Sequence, residues 1–279
     1  LAGLEVWKPL LNQAQFMNLF FLKCGAESTS LSFVNRHFES SSFCHYSEFL
    51  NHLSGQRISG IDKWVLPGIS NRDWEDIAIG PGPIPGESYI YVGDIGDNRS
   101  VRGFVNIYRF VEPQLTINPN QQEPFKMTIT NVETIRVEYP DGPRDAETLM
   151  IDPATKDLII ITKREVQVHV YQLPFPHNTS GAATNIHYRG KLPFRMVTAG
   201  DISPDGQEIG IKDLGAIYHW NATSSGIIET MFKQTPTRPE YIPEVQGEAL
   251  GWSHDGSGYF TITEIENHQV EALLRYYSR

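Results

Sequence analysis

Three glutamates stand at one place in a recurring pattern: Glu75 in Asp73-Trp74-Glu75-Asp76-Ile77-Ala78-Ile79, Glu147 in Asp145-Ala146-Glu147-Thr148-Leu149-Met150-Ile151, and Glu248 in Gln246-Gly247-Glu248-Ala249-Leu250-Gly251-Trp252. A further copy, Thr198-Ala199-Gly200-Asp201-Ile202-Ser203, carries Thr198 where the others carry glutamate. Carboxylates gathered at one point repel unless a cation or a proton intervenes. Oxygen donors without cysteine or clustered histidine suit Ca²⁺ or Mg²⁺ rather than zinc. Glu75, Glu147 and Glu248 are therefore candidate metal ligands. The competing reading is structural: the acids accept backbone N–H bonds from neighbouring units or pair with Arg72 and Arg144, each of which directly precedes an aspartate.

A second charged set closes the next apolar run of each copy: Asp94 with Asn98, Lys163 with Glu165, Lys212 with Asp213, and Glu264. With Asp73, Asp145 and Asp201 these are expected to border a pocket. Mixed lysines and carboxylates there would hold an anionic substrate through a bridging cation or supply a general base, for which Asp94 and Glu264 are the candidates. A solvated rim of loop charges is the alternative.

The elements that must position these residues follow from the same pattern. An acidic residue opens a short apolar strand, a tight turn follows, a second strand ends in charge, and a third carries aromatics, as in Val105-Asn106-Ile107-Tyr108-Arg109-Phe110 and Ala216-Ile217-Tyr218-His219-Trp220. Asp205-Gly206 and Asp255-Gly256 lie between such runs and read as two-residue hairpin turns, because glycine accepts the positive φ that a tight turn requires. Extended runs at 127–137 and 186–192 supply fourth strands.

Units of about fifty residues that cannot bury both faces alone must pack side by side, which predicts an all-β chain folded as a β-propeller of four-stranded antiparallel blades. Four blades are recognisable, and five or six are expected in a complete ring. The first strand of each blade should line a central channel, bringing the glutamates together. Residues 63–279 form this propeller domain. Residues 1–62 are Ser-rich and match the pattern poorly, with short helices expected at 10–21 and 46–53.

The chain has 279 residues and a formal net charge of −10, which argues against binding a nucleic-acid backbone. Its two cysteines, Cys24 and Cys44, precede the repeats and define neither a disulfide framework nor a zinc site. The apolar cluster at 16–22 is too short to span a bilayer and lacks the flanks of a signal peptide. The prolines of Gly80-Pro81-Gly82-Pro83-Ile84-Pro85-Gly86 remove N–H donors that a phosphate loop needs, so this is a rigid turn. His169 and His219 read as packing residues, and Trp74 and Trp252 as core between blades.

The run Asn71-Arg72-Asp73-Trp74-Glu75-Asp76-Ile77-Ala78, with Gly93-Asp94-Ile95-Gly96-Asp97-Asn98, Tyr139-Pro140-Asp141-Gly142, Arg144-Asp145-Ala146-Glu147 and Gln246-Gly247-Glu248-Ala249, resembles a group of uncharacterised propeller proteins, many bacterial and often exported. The resemblance covers about residues 66–279 and implies the fold and an extracellular or otherwise exported location, without a reaction. More distantly, acids at blade starts are similar to those of calcium-dependent propeller lactonases and phytase-like proteins, a likeness of fold, which hosts many functions. Two functions stay open: a binding scaffold, with a small molecule, glycan or protein at the channel mouth and an acidic ring that takes Ca²⁺, or a metal-dependent hydrolase of an ester, lactone or phosphoester.

Overall fold

The structure is a computed structural model that describes residues 63–113, 126–244, 246–263 and 275–279. The expectations for residues 1–62, and the candidate base Glu264, lie outside these residues. The described chain is nearly all strand. In order it runs β1 (Lys63–Val65), β2 (Asp76–Pro81), β3 (Ser88–Asp94), β4 (Val105–Val111), β5 (Lys126–Thr128), β6 (Glu133–Glu138), β7 (Ala146–Ile151), β8 (Leu158–Thr162), β9 (His169–Leu173), β10 (Thr184–Asn185), β11 (His187–Lys191), β12 (Val197–Ile202), β13 (Glu208–Asp213) and β14 (Ile217–Asn221). Helix α1 (Ile227–Lys233), β15 (Gly247–Trp252), β16 (Gly258–Thr263) and β17 (Arg275–Ser278) complete it.

Four sheets are built from consecutive strands: β2-β3-β4-β6 with β10 on its edge, β7-β8-β9-β11, β12-β13-β14, and β15-β16-β17. The consecutive pairs are antiparallel. Their first strands abut in sequence, β2 on β7, β7 on β12 and β12 on β15. That is the arrangement of propeller blades, each sheet facing its neighbour with the first strands innermost.

Side-chain alternation explains why the blades pack on both faces. In β8, Leu158 and Ile160 enter a core with Tyr89, Tyr91 and Ile107 of the first blade. Ile159 and Ile161 enter a different core with Ile209, Ile211 and Trp220 of the third. A period-2 apolar strand with no polar face is therefore a strand sandwiched between two sheets. Leu250, Trp252 and Tyr259 close the third junction against Ala199 and Ile217.

Three details differ from the sequence reading. The Asp-Gly turns are longer than two residues: Ser203 pairs with Glu208 and Ser253 with Gly258, their N–H groups donating across to carbonyls at 2.9 and 2.8 Å. Gly206 and Gly256 adopt φ of 69° and 67°, as foreseen, but each loop is held by a serine hydroxyl. Ser203 Oγ accepts from Glu208 N–H at 2.9 Å and donates to Asp205 at 2.6 Å, and Ser253 repeats this with Gly258 and Asp255 at 3.1 and 2.8 Å. The run at 127–137 is also broken. Asn131, at φ 58°, separates β6 from β5, which pairs parallel with β1.

Third, the third and fourth sheets show three strands each among the described residues. In the third, α1 takes the outer place, burying Ile227, Ile228 and Met231 against Trp220, and Thr237 makes only a single bridge to His219. The segment Ile227-Ile228-Glu229-Thr230-Met231 places apolar side chains at one- and three-residue spacings, which fit a helix stripe and give no strand alternation.

Candidate functional site

The strand ladders put the ring positions in register. Asp76, Thr148, Ala199 and Ala249 each pair with the second strand, at Gly93, Ile161, Lys212 and Ile262. The residue before each is Glu75, Glu147, Thr198 or Glu248. In the last three blades the register slips at that residue, which is the mark of a β-bulge. Bulged residues leave the ladder and aim differently from their neighbours, so the acids are turned out of the strand at the end where each blade begins.

Between Glu147 and Glu248 stands an ammonium. Lys163, which directly follows β8, places Nζ 2.9 Å from Glu147 Oε1 and 3.5 Å from Glu248 Oε1, and all three side chains are at least nine-tenths buried. The lysine thus ties the second blade to the fourth. Burial raises the Glu147 carboxyl to about 7 despite Lys163, and the neighbouring Glu248 adds to the rise. Desolvation outweighs the ammonium here.

The third blade, which has Thr198 in place of a glutamate, carries a second internal cation. Lys212 occupies the ladder position held by Gly93, Ile161 and Ile262, and it is fully buried. Its Nζ donates to the carbonyls of Gly247 and of Asp213, the latter at 3.0 Å, and Thr198 Oγ1 donates to the same Gly247 carbonyl at 3.1 Å. Burial pulls the Lys212 amine down to about 8, opposed by Glu244, Asp213 and Glu248. Glu244 accepts from Thr261 Oγ1 at 2.7 Å, and Arg275 Nε lies 3.3 Å away. Sequence reading missed Glu244, because it sits in the Pro243-Glu244-Val245 loop, where no strand pattern or repeat marks it.

The first blade holds its acids by a locked loop. Asp94 Oδ1 accepts from Asp73 N–H at 2.9 Å and from Arg102 Nη1 at 3.0 Å, and Tyr108 OH reaches Oδ2 at 3.4 Å. Arg102 also donates to the Gly96 carbonyl at 2.7 Å, while its own N–H donates to Asp97 Oδ2 at 2.7 Å. Asp94 is therefore the anion of a buried ion pair, which gives it a structural task where a general base was expected. Gly96 lies beneath Asp73 and Glu75: a Cβ there would come within 2.4 Å of both carboxyl groups.

Other candidates of the rim serve joints between blades. Asp145 Oδ1 accepts from Asp97 N–H of the first blade at 2.7 Å, and its other oxygen pairs with Arg164, whose guanidinium also reaches Asn98. Arg144 pairs with Asp141 and with Glu165, at 2.9 and 3.4 Å, in place of the expected Asp145. Asp201 is not a rim residue. It lies inside β12, opposite Gly210, where it accepts Trp252 N–H of the next blade at 2.8 Å and Ile202 N–H at 2.8 Å. Asp76, which the reading did not single out, does the same for Leu149 and Ile77 at 2.8 and 2.9 Å. Burial raises the Asp201 carboxyl to about 7 against those two amides.

Chemically, the cluster is a set of buried acids compensated by internal lysines, an arginine and backbone amides. Among the described residues, no three or more His, Cys, Asp or Glu side chains gather as a group able to hold a metal ion. The place between Glu147 and Glu248 that a cation would take is spanned by Lys163, and a lysine-bridged pair does not fit a calcium ligand set.

Two outcomes follow. Gly96→Ala forces the Asp73 and Glu75 carboxylates apart and is expected to destabilise the fold by about 1–3 kcal/mol, read by denaturant unfolding. Glu147 and Asp201 both have folded-state values raised to about 7 from 4.5 and 3.8, so their protonated forms favour the folded state. That stability is present in full below those ordinary values and is lost as pH rises through about 7. Glu147→Gln and Asp201→Asn should each flatten the fall in melting temperature across this window.

No protein-family model and no curated protein matches the chain. Among solved structures, hydrazine synthase of Kuenenia stuttgartiensis is similar at 13% identity over 72% of this chain and 45% of that one, with a TM-score of 0.39. The Dos1 propeller is similar at 9% identity over 68% and 41%, with a TM-score of 0.37. The periplasmic gluconolactonase of Pseudomonas aeruginosa is similar at 12% identity over 72% and 57%, with a TM-score of 0.37. The chain spans about half the length of these proteins.

Proposed function

We propose that this chain is a propeller scaffold, in which the central charges hold blades together and binding takes place on the loop face around the channel mouth. The observation that carries the reading is Lys163, whose ammonium joins Glu147 to Glu248. Acids already committed to an internal cation, to Arg102 or to backbone amides hold the blades in place and are poorly placed to polarise a substrate. A ring of five or six blades, and export of the chain as the resemblance implies, belong to the same proposal. Divalent-metal binding with hydrolysis remains the rival reading, and it requires Lys163 to withdraw.

Thermal unfolding with excess EDTA and then with millimolar Ca²⁺ separates the two, because a ligand of the native state raises its apparent stability. The scaffold reading predicts no calcium-dependent shift. Lys163→Met should cost about 3 kcal/mol, since it strands two buried carboxylates, and that amounts to roughly 6–12 °C in a domain of this size. Adding Glu147→Gln to that variant should recover part of the loss. A calcium-induced rise that Glu147→Gln abolishes would overturn the scaffold reading in favour of the hydrolase.

A further inference from the structure

The two ends of the blades carry opposite charge. At one end lie the turns between first and second strands, where Glu87, Asp205 and Asp255 are exposed and Asp157 is half-buried. Hydrogen bonds from Ser203 and from Ser257 hold Asp205 and Asp255 below the usual carboxylate range, so they stay ionised. At the other end lie the loops that follow the second strands and those that lead into the first strands. These present arginine: Arg72, Arg99, Arg164 and Arg195 are all exposed there. Among the described residues, Arg72, Arg99 and Arg195 have no ion-pair partner. The acids at this end are fewer: Asp141 and Glu165 are held by Arg144, Asp213 accepts from Tyr218 OH at 2.8 Å, and Glu240 is exposed. A chain of net charge −10 thus has a cationic face.

The same face carries exposed apolar side chains. Val101 is 68% and Val166 84% accessible, and Phe104 lies partly exposed under the Arg136 guanidinium, 4.2 Å from its ring centre. Val101 and Phe104 sit on the loop after β3, and Val166 on the loop after β8. Arg164 joins these loops through Asn98 and Asp145, and Arg102 braces the first from inside through Asp94 and Gly96. The surface is therefore held in one shape before any partner arrives, which lowers the cost of ordering on binding.

We propose that this arginine face binds an acidic segment of a partner protein, with carboxylates on Arg72, Arg99 and Arg195 and an apolar side chain against Val101 and Val166. The proposal rests on the scaffold reading and names its partner class. Guanidinium is the group that matches a carboxylate through paired N–H donors, and arginine is enriched at protein interfaces where lysine is depleted. The opposite charge on the far end repels the same ligand, so an acidic partner is steered to the correct side. An anionic bilayer is a poorer match: it would press Asp141, Glu165 and Glu240 against its headgroups along with the arginines, whereas a peptide passes between them.

The test is fluorescence anisotropy of a short labelled peptide of repeated Asp-Leu-Glu-Phe, with a Lys-Leu-Lys-Phe peptide as control. The acidic peptide should bind, more weakly as salt is raised, and the control should not. Arg99→Glu with Val166→Asp, two exposed sites outside the ring, should leave the melting temperature unchanged and weaken binding about tenfold or more. The proposal is overturned if the acidic peptide fails to bind, if the double variant binds it equally well, or if phosphatidylserine vesicles are bound in its place. Any of these results with no calcium shift in the unfolding scan would leave the scaffold reading standing and remove only this partner.

Discussion

A lysine ammonium set between carboxylates of two different blades is the contact around which the rest of the described structure is arranged. Glu147 and Glu248 are buried, and Lys163 reaches both. Buried like charges would drive the blades apart, and an ammonium between them converts the repulsion into a tie between the second blade and the fourth. The third blade, between them in sequence, keeps its own place by other means: Thr198 and Lys212 both donate to the Gly247 carbonyl at the start of the fourth. Where the glutamate is lost from the repeat, a lysine is gained in the adjacent strand, so the ring contains its own counter-ions.

The outer joints obey the same rule by cheaper means. Asp76 and Asp201 each cap an amide of the following blade, and Asp145 caps one of the preceding blade. Each bond joins two sheets whose apolar faces already meet, and it fixes their relative height, which dispersion contacts alone leave free to slide. With the blade ends levelled in this way, one end of the molecule collects the acidic turns and the other the arginine loops. Charge segregation is thus a product of the fold, since −10 spread evenly over a sphere would repel every acidic partner.

Much of this was legible in the residues. The acid-opened apolar strands, the aromatic third strands and the Asp-Gly turns gave the sheets, and the shared position of Glu75, Glu147, Thr198 and Glu248 is what the ladders show. What could not be read is which charge meets which. Arg102 pairs with Asp94 across a loop whose path the sequence does not determine, and Lys163 meets acids on two strands remote from it in the chain. Asp201 looked like a rim residue because it opens a strand with a charge, yet the strand begins earlier, at Val197, and buries it. Helix α1 was missed because two turns of helix leave too few periods to stand out against strands.

The account depends on Lys163 serving as the cation of the ring. A crystal structure of the protein grown in calcium tests this most directly. The account predicts Lys163 Nζ within hydrogen-bond reach of both Glu147 and Glu248, with no metal density between the carboxylates. A calcium ion bound to those two glutamates, with Lys163 turned away, would contradict it.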